Sequence, residues 1–234
     1  ALFSTDGDGD RPLLSDQHGE WLRGDTLGLL CAKVLGIEAL SIPVSCNTAI
    51  EISQLFKQVT RTKIGSPFVI AEFGALSDKY QRVAGFEANG GFLLASNLEF
   101  NGKTVNALPT RDALLPVITV LTQLTQASVS EQLAALPKRF TESDRIKGFA
   151  RENSQALLNN IKQSPELWLQ KLGLCQQLTG IDNTDGVRMT FNNGDIVHLR
   201  PSGNAPELRC YAESDSEQMA RNYVTNVLNK ISTL

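Results

Sequence analysis

Asp6, Asp8 and Asp10 stand at every second position of Asp6-Gly7-Asp8-Gly9-Asp10-Arg11, directly behind the apolar run Ala1-Leu2-Phe3. In an extended or tightly turning loop alternate residues project to one side, so three carboxylates converge on one hard cation while the glycines allow the bend. Anions packed this closely repel one another unless a cation neutralises them, and Arg11 adds a planar fork suited to a pair of phosphate oxygens. The expected chemistry is a divalent metal beside a phosphate; the ordinary alternative is a solvated acidic turn. An EF-hand is excluded, because its loop needs glycine at the sixth position and a bidentate Glu at the twelfth, where this chain has Arg11 and Gln17. An aspartyl-phosphate phosphatase, with the first Asp as nucleophile, stays open as the runner-up.

A second candidate lies near the other end. Arg200-Pro201-Ser202-Gly203-Asn204-Ala205-Pro206 joins two strand-like runs, Asp195 to Leu199 and Glu207 to Ala212. A loop of small polar residues can turn its backbone N–H groups inward as an anion nest, with Arg200 supplying charge-assisted bonds. A plain hairpin turn would use the same residue types.

Taken in order, Asp6 to Arg11, Gly85-Phe86-Glu87-Ala88-Asn89-Gly90-Gly91 and Arg200 to Pro206 resemble the motifs of the α-D-phosphohexomutases, the family of phosphomannomutases, phosphoglucomutases and phosphoglucosamine mutases. The resemblance spans nearly the whole chain but only the later half of the four-domain family. It implies Asp6, Asp8 and Asp10 as Mg2+ ligands, Arg11 as a catalytic contact to the transferring phosphoryl group, and Glu87 and Asn89 as substrate-binding residues. It also implies Arg200, Ser202, Gly203 and Asn204 as the phosphate grip. Thr60 to Ser66 is similar to the family's T-x-V-G loop, which makes Lys63 a further substrate contact. Two motifs depart from the pattern. The sugar loop G-E-x-S-G-H has Asn89 for Ser and Gly91 for His, and the phosphate loop R-x-S-x-T-x-P has Asn204 for Thr. The activity implied is interconversion of hexose 6-phosphate and hexose 1-phosphate through a phosphoserine and a hexose 1,6-bisphosphate, with phosphomannomutase favoured. The family's phosphoserine motif T-x-S-H-N-P has no counterpart here, so the missing N-terminal domains become partners and the chain alone is expected to be inactive. A metal-dependent phosphatase and a noncatalytic phosphosugar-binding module are the alternatives.

Composition narrows the class. A chain of 234 residues with 41% hydrophobic content can build one large or two ordinary domains. A net charge of −3 gives no basic excess for nucleic acid or an anionic membrane. No apolar run reaches membrane-span length, and no leader pattern opens the chain, so a soluble cytoplasmic protein is expected. Cys31, Cys46, Cys175 and Cys210 form no C-x-x-C pair and read as buried free thiols, and with only His18 and His198 as nitrogen donors a zinc site is not expected. His18 reads as a turn residue.

These residues need elements to position them. The apolar start has no preceding strand to pair with, which suggests a fragment. The pattern Leu27, Leu29, Leu30, Val34, Leu35 predicts a helix opened by Asp25 and ended by Gly36. Ile42 to Ser45 predicts a strand, Asn47 caps a helix carrying Ile50 to Val59, and Phe68 to Ala71 predicts another strand, a βαβ rhythm. Glu87 falls in a loop between strands. Arg111 to Leu124 predicts an apolar core helix, Val129 to Leu136 a shorter one, and the charged stretch from Pro137 to Arg145 a boundary. Helices near Ser154 to Ile161 and Pro165 to Leu172 lead to short strands with a turn at Asn193-Gly194. A last helix packs on Met219, Tyr223, Val227 and Ile231. The fold class is therefore α/β: residues 1–11 ending a metal-binding domain, 12–136 a mixed α/β sugar-binding domain, and 137–234 a smaller α+β, TBP-like domain with an antiparallel sheet and helices, carrying the phosphate loop.

Overall fold

Strand β1 (Phe3–Thr5) turns back through the acidic loop and pairs antiparallel with β2 (Pro12–Leu14), Phe3 opposite Leu14 and Thr5 opposite Pro12. The strand that opens the chain thus has a partner downstream, across the very loop that carries the aspartates. The computed structural model describes residues 1–233, and the chain divides into two compact units, Ala1–Lys138 and Arg139–Leu234.

In the first unit, helix α1 (Gly24–Val34) buries Leu27, Leu29, Leu30 and Cys31, and its chain leaves through Gly36 at φ +64. Strand β3 (Ala39–Pro43) follows, fully buried as an interior parallel strand must be. A single helical turn α2 (Ala49–Ile52) leads to β4 (Gln58–Thr62). The sequence reading extended that helix to Val59. Instead Ile52 and Leu55 are exposed, Gln54 sits at φ +53, and Val59 lies within β4. Residues Thr60 to Thr62 accordingly belong to a strand, not to the expected loop. Helices α3 (Ser66–Ala71) and α4 (Phe73–Ser77) come next. The strand expected at Phe68 to Ala71 is therefore a helix: Gly65 at φ +136 breaks the strand direction and Pro67 sits in the first helical turn, where its missing N–H costs nothing.

Strands β5 (Val83–Phe86) and β6 (Phe92–Leu94) flank Glu87; β7 (Leu98–Phe100) and β8 (Lys103–Val105) form a separate hairpin, and β9 (Leu108–Asp112) returns to the main sheet. The sheet order is β4-β3-β5-β6-β9, parallel from β4 to β5 and antiparallel beyond. Helix α5 (Leu114–Leu121) is shorter than expected, Arg111 belongs to β9, and Leu114 and Ile118 are exposed, so only part of that helix is core. Helix α6 (Val129–Ala134) starts at a capping box in which Ser128 and Glu131 satisfy each other's backbone N–H groups.

The second unit opens on β10 (Phe140–Lys147), a strand in the stretch read as a boundary. It carries charge on a solvent face while Ile146 packs inward. Helices α7 (Arg151–Gln163) and α8 (Pro165–Leu172) precede β11 (Leu178–Asp182), β12 (Val187–Phe191), β13 (Ile196–Pro201) and β14 (Glu207–Ser214), and α9 (Glu217–Ser232) closes the unit. The sheet is antiparallel throughout, in the order β10-β14-β13-β12-β11. Val187, Met189, Val197, Leu199, Leu208 and Cys210 point to the helices and form the core with Tyr223, Val227 and Ile231. Met219, expected in that stripe, is exposed. Because side chains alternate along a strand, Arg188, His198, Arg200, Arg209 and Tyr211 lie on the other face. Cys31, Cys46 and Cys210 are buried free thiols whose burial pushes their pKa up, but Cys175 is exposed. No described helix is long and apolar enough to cross a membrane.

Candidate functional site

The β1–β2 turn is shaped by its own backbone and one side chain. Gly9 N–H donates to the Asp6 carbonyl at 3.1 Å, Asp6 N–H to the Arg11 carbonyl at 3.3 Å, and Arg11 N–H to Asp6 Oδ1 at 3.2 Å. This curl gathers Asp6, Asp8 and Asp10 so that one carboxylate oxygen of each lies within 4.8 Å of the others. Opposed ligands on an octahedral Mg2+ stand about 4 Å apart, so a small side-chain rotation would bring all three oxygens onto one ion, leaving its other positions to water or a phosphate oxygen. Asp10 Oδ1 is buried and accepts no hydrogen bond, an acceptor left over for a cation. The donors, all hard oxygens, fit Mg2+. Arg11 flanks them, 3.5 Å from Asp6 Oδ2 and 3.8 Å from Asp10 Oδ1, and stays half-exposed.

Glu87 sits in the β5–β6 turn, buried. Its N–H donates to the Gly91 carbonyl at 3.1 Å, Gly90 N–H returns to the Glu87 carbonyl at 2.9 Å, and Gly91 N–H donates to Asn89 Oδ1 at 3.0 Å. Gly90 holds φ +93, a conformation that any Cβ would strain. The turn rests on the start of α1: a Cβ on Gly24 would lie 2.2 Å from Gly90 N. Phe86 and Phe92, stacked 6.2 Å apart, hold its stem. Burial pushes the Glu87 carboxyl above the usual carboxylate range, opposed by Arg111 and by a hydrogen bond from Asn89. Arg111 connects the two features. Its Nε stands 3.0 Å from Asp10 Oδ2 and its Nη1 3.9 Å from Glu87 Oε2.

Asp6, Asp8, Asp10, Arg11, Glu87 and Asn89 are thus assembled in one unit. Lys63 is not drawn into this set: it is exposed on the β4–α3 loop, its Nζ 5.8 Å from the Phe68 ring centroid, and among the described residues it forms no ion pair. Arg111, which the sequence reading assigned to a helix, is the residue it missed. The signal was slight, a lone arginine ahead of Asp112, whose side chain caps α5 by accepting from the Leu114 and Leu115 N–H groups.

In the second unit Arg200 lies next to the end of β13, buried, with Nε 3.4 Å from Asp185 Oδ2 and no hydrogen bond made by that nitrogen. Ser202 is buried, donating its N–H to the Glu207 carbonyl at 2.8 Å, and the Asn204 N–H turns in to Ser202 Oγ at 3.4 Å. Gly203 and Asn204 are exposed. Strand register adds what the motif alone did not: Arg200 pairs with Arg209, and Arg209 with Arg145, a row of three guanidinium groups across β13, β14 and β10. Like charges placed opposite one another destabilise a sheet unless counter-ions intervene. Glu207 supplies part of that charge, 3.4 Å from each of Arg145 and Arg209. The period-two series Glu207, Arg209, Tyr211 was the sequence signal for it. Next to this row the His198 Nε2–H donates to the Asp185 carbonyl at 2.5 Å and its ring stacks on Tyr211. Nδ1 is buried without a partner, and burial pulls the His198 pKa down to about 4. His18 lies exposed in a turn, its N–H bonded to Asp16.

Two family models match consecutive parts of the chain. Residues 23–140 match the alpha/beta/alpha domain III of phosphoglucomutase/phosphomannomutase, and residues 124–230 match its C-terminal domain. The chain belongs to the phosphoglucomutase/phosphomannomutase family. A phosphomannomutase of Salmonella muenchen is 53% identical over 234 residues, covering all of this chain and 49% of the relative. One from Sinorhizobium fredii is 42% identical over 97% of this chain and 48% of its own length. The chain therefore spans about half the length of the curated relatives it matches. A crystal structure of a phosphoglucomutase/phosphomannomutase family protein from Burkholderia thailandensis superposes at a TM-score of 0.69, with 18% identity over 99% of this chain and 46% of that one. The Aspergillus fumigatus N-acetylphosphoglucosamine mutase, solved with GlcNAc-6P and magnesium, gives 0.63 at 16% identity, covering 98% and 48%. These likenesses establish the mixed α/β, two-unit fold of this family's later portion.

Proposed function

We propose that this chain is the later half of a hexose-phosphate mutase of phosphomannomutase type, interconverting the 6- and 1-phosphates through a phosphoserine and a hexose 1,6-bisphosphate. In that reading residues 1–11 end a metal-binding domain, 12–136 form the sugar-binding domain, and 137–234 the phosphate-binding domain. The observation that carries it is the convergence of three aspartate oxygens within 4.8 Å beside a buried Glu87. The 53% identity to a phosphomannomutase supports the choice of hexose.

Asp6, Asp8 and Asp10 would hold Mg2+, which when bound neutralises charge on a transferring phosphoryl group. Arg11, half-exposed beside them, offers its fork to phosphoryl oxygens. Glu87, with one buried oxygen that accepts no hydrogen bond, is an acceptor for sugar hydroxyls, and Asn89 shapes the turn that presents it. Lys63, exposed on the β4–α3 loop, is kept as a further contact to a substrate anion. Arg200, Ser202, Gly203 and Asn204 bind the phosphate that is not reacting. The four cysteines without disulfide partners accord with a reducing compartment such as the cytoplasm.

The longer protein assayed with mannose 1-phosphate and glucose 1-phosphate, with phosphate position followed by phosphorus NMR, tests the reading. Conversion to the 6-phosphates is expected only with Mg2+, and none from this chain alone. No conversion of either sugar sinks it. Phosphate release by this chain alone, abolished by Asp6→Asn, would instead establish the phosphatase.

A further inference from the structure

Glu87 and Asp10 lie on different turns, and one side chain reaches both. Arg111 Nε is 3.0 Å from Asp10 Oδ2 and its Nη1 is 3.9 Å from Glu87 Oε2, which is buried and accepts no hydrogen bond. Its stem crosses directly over Gly91. A Cβ built on Gly91 would lie 2.9 Å from Arg111 Cγ and 3.0 Å from Cδ. The backbone of Gly91 imposes no positive φ, so the obstacle to a side chain there is steric only. Position 91 is also where the sugar loop departs from the family pattern, with glycine in place of histidine.

We propose that Arg111 is a positioning residue that ties the acidic loop to Glu87, and that it occupies the volume a side chain at position 91 would fill. The inference deepens the mutase reading and rests on it for the identity of the ligand. By holding Oδ2 of Asp10, Arg111 turns Oδ1, which accepts no hydrogen bond, to the remaining face of that carboxylate. By standing beside Oε2 of Glu87, it holds a buried carboxylate oriented to accept sugar hydroxyls. A lysine could satisfy one of the two carboxylates, since only the guanidinium has separate donors spread across a plane.

Two experiments decide it. In thermal unfolding, Gly91→Ala is expected to lower the midpoint by several degrees, roughly the cost of overpacking a filled site. In an Arg111→Ala background the same change should be nearly neutral. An equal loss in both backgrounds would overturn the steric claim. In calorimetry on the longer protein, Arg111→Gln should weaken mannose 6-phosphate binding about tenfold, the scale of a charge-assisted contact. Added to Glu87→Gln it should cost no more than Glu87→Gln alone, and Arg111→Lys should not restore affinity. Losses that simply multiply would show that Arg111 does not act through Glu87. If the parent protein binds no hexose phosphate, the proposed function fails while the Gly91 pair still decides the placement of Arg111.

Discussion

The two candidate sites leave opposite charges unbalanced. In the first unit three aspartates and Glu87 are met by Arg11 and Arg111. In the second, Arg145, Arg209 and Arg200 form a cross-strand row met by Glu207 and Asp185. Each unit folds with a local surplus that its own residues only partly offset, negative on a hairpin turn and positive on a sheet face. A turn suits a cation, because carboxylates from alternate residues can wrap around it. A sheet face suits an anion bearing several oxygens, because strand spacing sets guanidinium groups side by side. The contrast teaches that the sign of the charge each unit leaves unbalanced goes with the element that displays the residues.

That contrast can be broken from either side. The largest effect is expected from Asp8→Asn, which removes one of the three converging carboxylates: Mn2+ affinity followed by electron paramagnetic resonance should drop about a hundredfold or more. Unchanged affinity would mean the turn is only a solvated acidic loop. Next, Arg200→Gln should weaken inorganic phosphate or hexose phosphate binding about tenfold, read by calorimetry, and leave Mn2+ binding intact. If the metal site weakened in parallel, the two units would not be separate charge traps.

A third test uses pH. The folded His198 pKa is about 4 against an ordinary 6.5, so the unfolded chain binds the proton first as pH falls. Stability contributed by the neutral ring is complete above pH 6.5, declines between 6.5 and 4, and is lost below, about 3 kcal/mol in denaturant melts. His198→Gln should flatten that slope. The smallest expected effect is a rise of a few degrees in unfolding midpoint on adding millimolar Mg2+, which saturates a site of modest affinity. Asp8→Asn should erase the rise.

The chemistry-bearing motifs were legible because side-chain type and spacing, not burial, define them. The Asp6 to Asp10 series and the Glu87 turn needed only a tight bend, and the structure supplies it at both places. Helices with one clean apolar face, such as α1, α7 and α8, were read for the same reason. Where the reading failed, tertiary context overruled local preference. Phe68 to Ala71 has strand-forming residues, yet Pro67 and the Gly65 backbone start a helix that buries Val69 and leaves Phe68 and Ile70 exposed. Strand β10 was hidden because an edge strand paired with β14 alone can carry Glu142, Asp144, Arg145 and Lys147, which in one dimension resemble a linker. Arg111 escaped because its importance lies in two partners far away in sequence, Asp10 and Glu87.

Gly24 has a bearing on how this site can diversify. Its α-carbon abuts the backbone at Asn89 and Gly90, so the first turn of α1 serves as a seat for the turn that carries Glu87. A loop clamped by a helix end and by the Phe86–Phe92 stem cannot lengthen or shorten without unseating both. Side-chain exchanges at positions such as 88, 89 and 111 would then be made on a turn of constant length.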